Sequence, residues 1–365
     1  MTEQVRIGII GTSYWVDGFH LPILQNDTHA LVTSICGRNQ ARTEQLARKF
    51  GINKTFTDYR RMLDDENLDA VIICTPEDQH YPMTIFALDK GLHVLCEKPM
   101  AYTADEALEM YRKAETKKVK HLVNFTMRWI PHFQFLKKLM EANYIGNPYH
   151  AHFHWLSGWH PEREEYTWYY DPQHSHGAAS ELGVHMIDQA RWYLGEIKSV
   201  QGSVRSFVTR TDKDQNEMDD PASDSAIFLL EFQNGAHATI HVSTVNQVSK
   251  ELIHTGQFIS LHGQDGTIES RAGLWSSNPI SEIVGYKRGA EKAETLKVPD
   301  TYFGSDGRES LFEFNDKPIV GPRLFVDAIL NDQQLQPNFY DGYKSQQVIQ
   351  AALESAKTGH AINIH

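Results

Sequence analysis

The sequence predicts an α/β chain: a parallel sheet with crossover helices, followed by an α+β domain built on a large, mostly antiparallel open sheet. Three observations lead there. The first 125 or so residues alternate short apolar runs with helix-like stretches, the pattern of a parallel sheet. After the turn cluster Ile145-Gly-Asn-Pro148 strand-like runs succeed one another as hairpins. The length of 365 residues suits two domains at roughly 150 residues each. We therefore expect one domain over residues 1–125 and a second over 126–365.

Taken in order, Val5–Ile10, Leu31–Cys36, Ala70–Cys74, His93–Cys96 and His121–Phe125 read as strands. The first four are apolar or β-branched on both parities, as a sheet covered on both faces requires. Thr43–Phe50 and Met83–Lys90 read as helices, each stopped by a glycine, Gly51 and Gly91. Thr103 and Glu106 make a capping box that opens a helix to about Thr116. In the second half His150–Leu156, Ser225–Phe232, Ala236–Val242 and Phe258–His262 read as strands, with Asn234-Gly235 a hairpin turn between two of them. Helices are expected at about Val184–Tyr193 and Tyr343–Lys357, each just short of a glycine. The polar stretches Thr209–Asp224 and Ser276–Pro299 read as surface loops.

Composition narrows the class. With 35 Lys and Arg against 47 Asp and Glu, the net charge of −12 offers no basic footprint for nucleic acid or an anionic membrane. No run of 18 apolar residues exists to span a bilayer. The opening MTEQVRIGIIG lacks the basic and apolar regions of a signal peptide. Three cysteines (Cys36, Cys74, Cys96) are too few for a disulfide framework and read as small buried hydrophobes. A reduced, cytoplasmic enzyme or binding protein is expected.

The first strand runs directly into Gly11-Thr12-Ser13-Tyr14-Trp15. A tight turn there lets backbone N–H groups meet a pyrophosphate, and the usual fingerprint is Gly-x-Gly-x-x-Gly. Gly11 fills its first position, Ser13 its second and Val16 its third. At the end of the second strand, where a carboxylate would bind a ribose 2′-hydroxyl, stands Cys36-Gly37-Arg38. A guanidinium suits a 2′-phosphate, which favours NADP over NAD. Stacking of Arg38 on adenine would serve either cofactor.

Further motifs follow in order. Thr75-Pro76 closes one strand, His80 follows, and Cys96-Glu97-Lys98-Pro99 closes the next. His20-Leu-Pro22, Met127-Arg-Trp129, the run Gly177–Asp188 and Glu354-Ser-Ala-Lys-Thr-Gly359 complete the set. Together they resemble the Gfo/Idh/MocA oxidoreductases over essentially the whole chain. The resemblance implies an N-terminal Rossmann domain in which Gly11, Thr12, Ser13, Tyr14 and Trp15 surround the pyrophosphate. Arg38 would lie by the adenosine ribose, Thr75, Pro76 and His80 along the cofactor's path, and Glu97 and Lys98 near the nicotinamide. The family's Asp-x-Gly-x-His is here Glu181-Leu-Gly183-Val-His185. His185 can take the hydroxyl proton, since imidazole titrates near working pH. Lys98 would stabilise charge on the reacting oxygen. Glu181, four residues before His185, would orient the imidazole, contact a substrate hydroxyl or be only a helix-end carboxylate.

Other residues invite a role. His150, His152 and His154 share one strand face, with His160, His174 and His176 beyond. Without a carboxylate or cysteine at ligand spacing they read as sheet or interface histidines, and no metal is expected. Trp168, in an aromatic cluster with Trp155, Trp159, Tyr166, Tyr169 and Tyr170, is a candidate pocket wall or a core residue. His176 replaces a glycine common in the family and is a candidate substrate contact. Arg128 can reach substrate or cofactor, or join the domains in an ion pair. The expected activity is hydride transfer between NAD(P) and a secondary alcohol or carbonyl of a sugar, sugar derivative or cyclitol. A cofactor-binding sensor or regulator without catalysis, and an NAD-dependent glycosidase, are the alternatives. The partners expected are a small polyol or sugar and further copies of the chain, as a homodimer or homotetramer through the open sheet face.

Overall fold

Six short apolar segments build the first sheet: β1 (Val5–Ile10), β2 (Ala30–Cys36), β3 (Lys54–Phe56), β4 (Ala70–Ile73), β5 (His93–Cys96) and β6 (His121–Val123). They run parallel in the order β3-β2-β1-β4-β5-β6. Ile7, Ile9, Val71, Ile72, Val94 and Leu95 are fully buried, on both parities, because helices cover both faces. These assignments come from a computed structural model that describes residues 4–160, 162, 166–247, 256–273, 280–303 and 320–365. β1 is flanked by both β2 and β4, so the strand order reverses there. A crevice for ligand forms beyond the carboxyl ends of strands at such a point.

The chain divides into two units. The first comprises the described residues of Met1–Trp129 and Glu313–Gln346, and the second those of Ile130–Phe312 and Gln347–His365. The sequence reading runs the second domain unbroken from 126; the structure returns a late segment to the first unit. The reason is the sheet's need for cover. Helix Gly321–Leu330 buries Phe325 and Val326 and packs on β1, β5 and β6. Phe339 then stacks obliquely on His121 at 4.9 Å and donates its N–H to His121 Nδ1 at 3.1 Å.

Local signals mostly held. Asn39 caps helix Gln40–Phe50 and Gly51 ends it at φ 69°. The Thr103–Glu106 box is reciprocal and opens helix Ala104–Lys117. Helix Glu77–Asp89 starts six residues earlier than the sequence reading of Met83, because Pro82 is carried inside it.

The second unit is a nine-stranded sheet. Its strands are β7 (Pro148–Leu156), β8 (Ile197–Arg205), β9 (Ser225–Phe232), β10 (His237–Ser243), β11 (Gly256–Gly263), β12 (Gly266–Gly273), β13 (Ile280–Lys287), β14 (Glu294–Thr295) and β15 (Ile362–Asn363). Their order is β14-β13-β12-β11-β7-β10-β9-β8-β15, antiparallel among the described residues except for β7 against β10. Alternation is clean: Phe153, Trp155, Ile240, Val242, Phe228 and Leu230 are buried on one face, against which helix Gly183–Leu194 packs. The hairpin at Asn234-Gly235 forms as expected, with Gly235 at φ 88°.

One expectation is corrected. Ser276–Pro299 is not simply a loop, since β13 pairs with β12 along its length and β14 follows; residues 276–279 lie outside the described residues. Strand β13 borders the sheet edge, and its exposed Ser281, Glu282 and Tyr286 disguise the buried Ile283. The inward Ser270 hid β12 in the same way. This buried serine bonds His132 Nε2 at 2.7 Å, and Ser281 Oγ meets His132 Nδ1 at 2.9 Å. Thr209–Asp224 is irregular as expected, pinned by a buried Arg210–Asp224 pair at 2.8 Å.

Candidate active site

Three strand ends are laced together at the reversal point. Gly11 N–H donates to Cys36 O and Cys74 N–H to Ile10 O, both at 2.8 Å. Gly11 sits at φ +125°, and a Cβ there would lie 2.0 Å from Cys74 O, so only glycine fits. Ser13 does not keep its hydroxyl free for a phosphate. Its Oγ accepts from Val16 N–H at 3.3 Å and contacts Cys74 Sγ at 3.2 Å. That helix opens with a π-helical turn, Val16–His20, in which Val16 is fully buried at the fingerprint's third position. Trp15 stacks on Phe19 with centroids 4.7 Å apart, whereas Tyr14 is 80% exposed. Among the described residues nothing accepts from the Thr12 or Ser13 N–H.

The turn after β2 comes close to this one. A Cβ on Gly37 would lie 2.4 Å from Thr12 Cγ2. Arg38, next in the chain, is exposed and forms no ion pair among the described residues. Two open backbone donors, a glycine-only corner and an adjacent exposed cation suit a dinucleotide's phosphates. No acidic residue stands at the end of β2 to exclude a 2′-phosphate.

The ends of β4 and β5 are joined by His80. It is buried, with Nδ1 2.7 Å from Pro99 O and Nε2 2.8 Å from Thr75 O. Burial pushes its imidazole below the ordinary value despite the pull of both carbonyls. A neutral ring donates to only one of the two. His80 thus holds the half-buried Thr75 and Pro76 and the Glu97-Lys98-Pro99 turn as one piece.

Glu97 is the hub of that turn. Its Oε1 accepts from Asn124 Nδ2 at 2.7 Å and meets His20 Nε2 at 2.7 Å, while Trp129 Nε1 donates to Asn124 Oδ1 at 3.2 Å. Burial works to raise the Glu97 carboxyl, but the His20 hydrogen bond and charge, Asn124 and Lys98 outweigh it and hold it low. Lys98, half-buried, donates its backbone N–H to Glu97 Oε2 at 3.3 Å. Among the described residues His20, Cys74 and Glu97 have ligand atoms within 4.8 Å of one another, a spacing that can hold a metal. Glu97 is already bonded on both sides, and burial pushes the Cys74 thiol up, away from the thiolate that a metal needs. Cys36 is likewise pushed up to about 12, and Cys96 well above the ordinary value. Asn124 escaped sequence reasoning altogether; its position one residue past β6, at the carboxyl edge of the sheet, was the available signal.

The second unit carries the other motif. Gly177 stands at φ +67°, where a Cβ would lie 2.3 Å from Ser223 O. Ser223 straps this corner: its O accepts from Ala178 N–H, and its Oγ accepts from Ala179 N–H and donates to His176 O. Helix Ala178–Glu181 then continues through Leu182, whose backbone is helical, into Gly183–Leu194. Glu181 is half-buried and His185 buried, its ring 5.6 Å from Trp155. Trp168, 37% exposed, packs edgewise on Tyr169, and His176 is half-buried. Arg128 is buried in the first unit, its Nη2 3.2 Å from Asp341 Oδ1 of the same unit. Lys98 belongs to the first unit; Glu181, His185, Trp168 and His176 belong to the second.

A Rossmann sheet with a glycine corner at its reversal point, joined in one chain to a large open-sheet unit, defines a dinucleotide-dependent oxidoreductase. The chain belongs to the Gfo/Idh/MocA family. Residues 5–125 match the oxidoreductase family's NAD-binding Rossmann fold, and residues 133–269 match the GFO/IDH/MocA C-terminal domain. It is 30% identical over 264 residues to scyllo-inositol 2-dehydrogenase (NAD(+)) of Bacillus subtilis strain 168, covering 69% of this chain and 71% of that one. It is 29% identical over 362 residues to glucose-6-phosphate 3-dehydrogenase of the same strain, covering 98% of each. Levoglucosan dehydrogenase in complex with NADH shares the fold over 100% of both chains, with a TM-score of 0.84 at 22% identity. No helix among the described residues is long and apolar enough to cross a membrane.

Proposed function

We propose that this chain is a nicotinamide-dependent dehydrogenase that moves a hydride between cofactor and a secondary alcohol or carbonyl of a sugar, sugar derivative or cyclitol. The observation that carries the reading is the Glu97-Lys98 turn, tied through His20 to the helical segment that follows the glycine corner after β1. When bound, the cofactor supplies the hydride acceptor or donor. Lys98 hydrogen-bonds the reacting oxygen and stabilises the charge that develops on it. His185 takes the hydroxyl proton in oxidation and returns it in reduction. Glu181, one methylene longer than the family's aspartate, orients His185 or a substrate hydroxyl. Thr12 and Ser13 N–H groups receive the pyrophosphate, and the exposed Arg38 selects NADP. Trp168 and His176 line the substrate side. The protein works in the cytoplasm as a homodimer or homotetramer through the open face of the nine-stranded sheet.

The test is a screen of sugars and cyclitols with NAD and NADP, followed by reduced-nicotinamide absorbance. Lys98→Ala and His185→Ala should each lower kcat by about 10²–10⁴-fold with cofactor affinity retained. Full turnover in either variant removes its residue from the chemistry. Arg38→Ala should weaken NADP by about tenfold, the worth of one charge-assisted hydrogen bond, and NAD much less. Equal losses would mean that Arg38 does not read the 2′-phosphate.

A further inference from the structure

The open face of the second sheet concentrates imidazole in a way that the sequence shows only in part. Strand β7 lies between β10 and β11, and its register places His150 opposite both His237 and His262. His152, two residues on, shares the face. The centroid of His150 is 4.4 Å from that of His262, 5.7 Å from His152 and 6.0 Å from His237, with His152 and His262 6.4 Å apart. Two imidazoles on one tetrahedral zinc, with Zn–N of about 2.0–2.1 Å, have centroids roughly 5 Å apart. The observed separations straddle that value. As they stand, His150, His152 and His262 do not bring their ligand atoms within 4.8 Å of one another, and the His150 and His262 rings are stacked at 21°, so convergence of their nitrogens requires side-chain rotation on the existing backbone.

The rings are also prepared as ligands. His152 Nδ1 lies 2.7 Å from Thr239 Oγ1, and His262 Nδ1 lies 3.1 Å from Thr267 Oγ1. A partner on one ring nitrogen, leaving the other for the ion, is the usual arrangement around metal-bound histidine. Burial, then repulsion from neighbouring imidazoles, holds His150 and His262 below the ordinary value.

We propose that His150, His152 and His262 form a binding site for a divalent transition ion, zinc in the first instance, on the open face of the second unit. Three imidazoles leave one tetrahedral position for water or for His237. Zinc suits this all-nitrogen set, whereas magnesium and calcium prefer oxygen. The site is separate from the dinucleotide corner, and the proposal does not rest on the dehydrogenase reading.

Tag-free protein stripped with a chelator and titrated with zinc chloride by calorimetry should bind one zinc per chain at micromolar or lower concentration. His150→Ala and His262→Ala should each weaken binding by at least about tenfold, with circular dichroism unchanged. His360→Ala removes an exposed histidine near the chain end and should bind as the parent does. His150→Asn and His262→Asn repeat the test should either alanine variant fail to fold. Absence of zinc binding overturns the proposal, whatever assembly state sedimentation reports. Binding that survives both substitutions overturns it too, and assigns the ion elsewhere, with His20, Cys74 and Glu97 the next group to test.

Discussion

Acid should weaken the second unit through His132. Its imidazole is fully buried between Ser270 and Ser281, and burial lowers its pKa to about 3 from an ordinary 6.5. Between those values the unfolded chain binds a proton that the folded chain refuses. The stability contribution is therefore complete above pH 6.5 and drains away as pH falls toward 3. At pH 5 the loss is about 1.5 pH units at about 1.4 kcal/mol each, or about 2 kcal/mol. His132→Gln keeps amide groups for the two serines and does not titrate. In urea unfolding followed by tryptophan fluorescence, the parent should lose about 2 kcal/mol more than the variant between pH 8 and pH 5. His80, His93 and His121 are also depressed by burial, but they titrate in both proteins and cancel. Identical pH dependence in parent and variant would refute the argument.

Two further outcomes follow from the geometry. Gly11→Ala drives a methyl into Cys74 O and forces an L-residue to φ +125°. It should cost about 1–3 kcal/mol of stability in thermal unfolding, and weaken cofactor binding measured by nucleotide fluorescence. Asp224→Ala strips the buried Arg210 guanidinium of its carboxylate, and the Phe207 and Val208 N–H groups of their acceptor. A loss of about 3–5 kcal/mol is expected in denaturant titration, and a change within error of zero would count against the pair.

Strands whose inward residues are apolar were legible at full precision, as with β1, β5 and β9. Strands whose inward positions are polar were not. β12 spends Ser270 on His132, and β8 carries Gly202 because a Cβ there would lie 2.2 Å from Ala352 O. Neither requirement leaves an apolar alternation to read. The candidate site divides in the same way. The glycine corner, Arg38 and the Glu97-Lys98 turn are local in sequence and could be named from it. The bonds that hold Glu97 reach 77 residues back to His20 and 27 forward to Asn124, and no local pattern announces them. Register likewise created the histidine surface, since His237 and His262 join His150 only when β10 and β11 flank β7.

The late return of the chain to its first sheet has a consequence for biosynthesis. At about 5–20 residues per second, the roughly 190 residues between Trp129 and Gly321 occupy a ribosome for about 10–40 s. Throughout that interval β1, β5 and β6 are made but lack helix Gly321–Leu330, and His121 lacks Phe339. The nascent first sheet therefore waits with an uncovered apolar face. A release factor acting upstream of residue 321 would deliver a chain that has every residue proposed to meet the phosphates and no finished sheet to carry them.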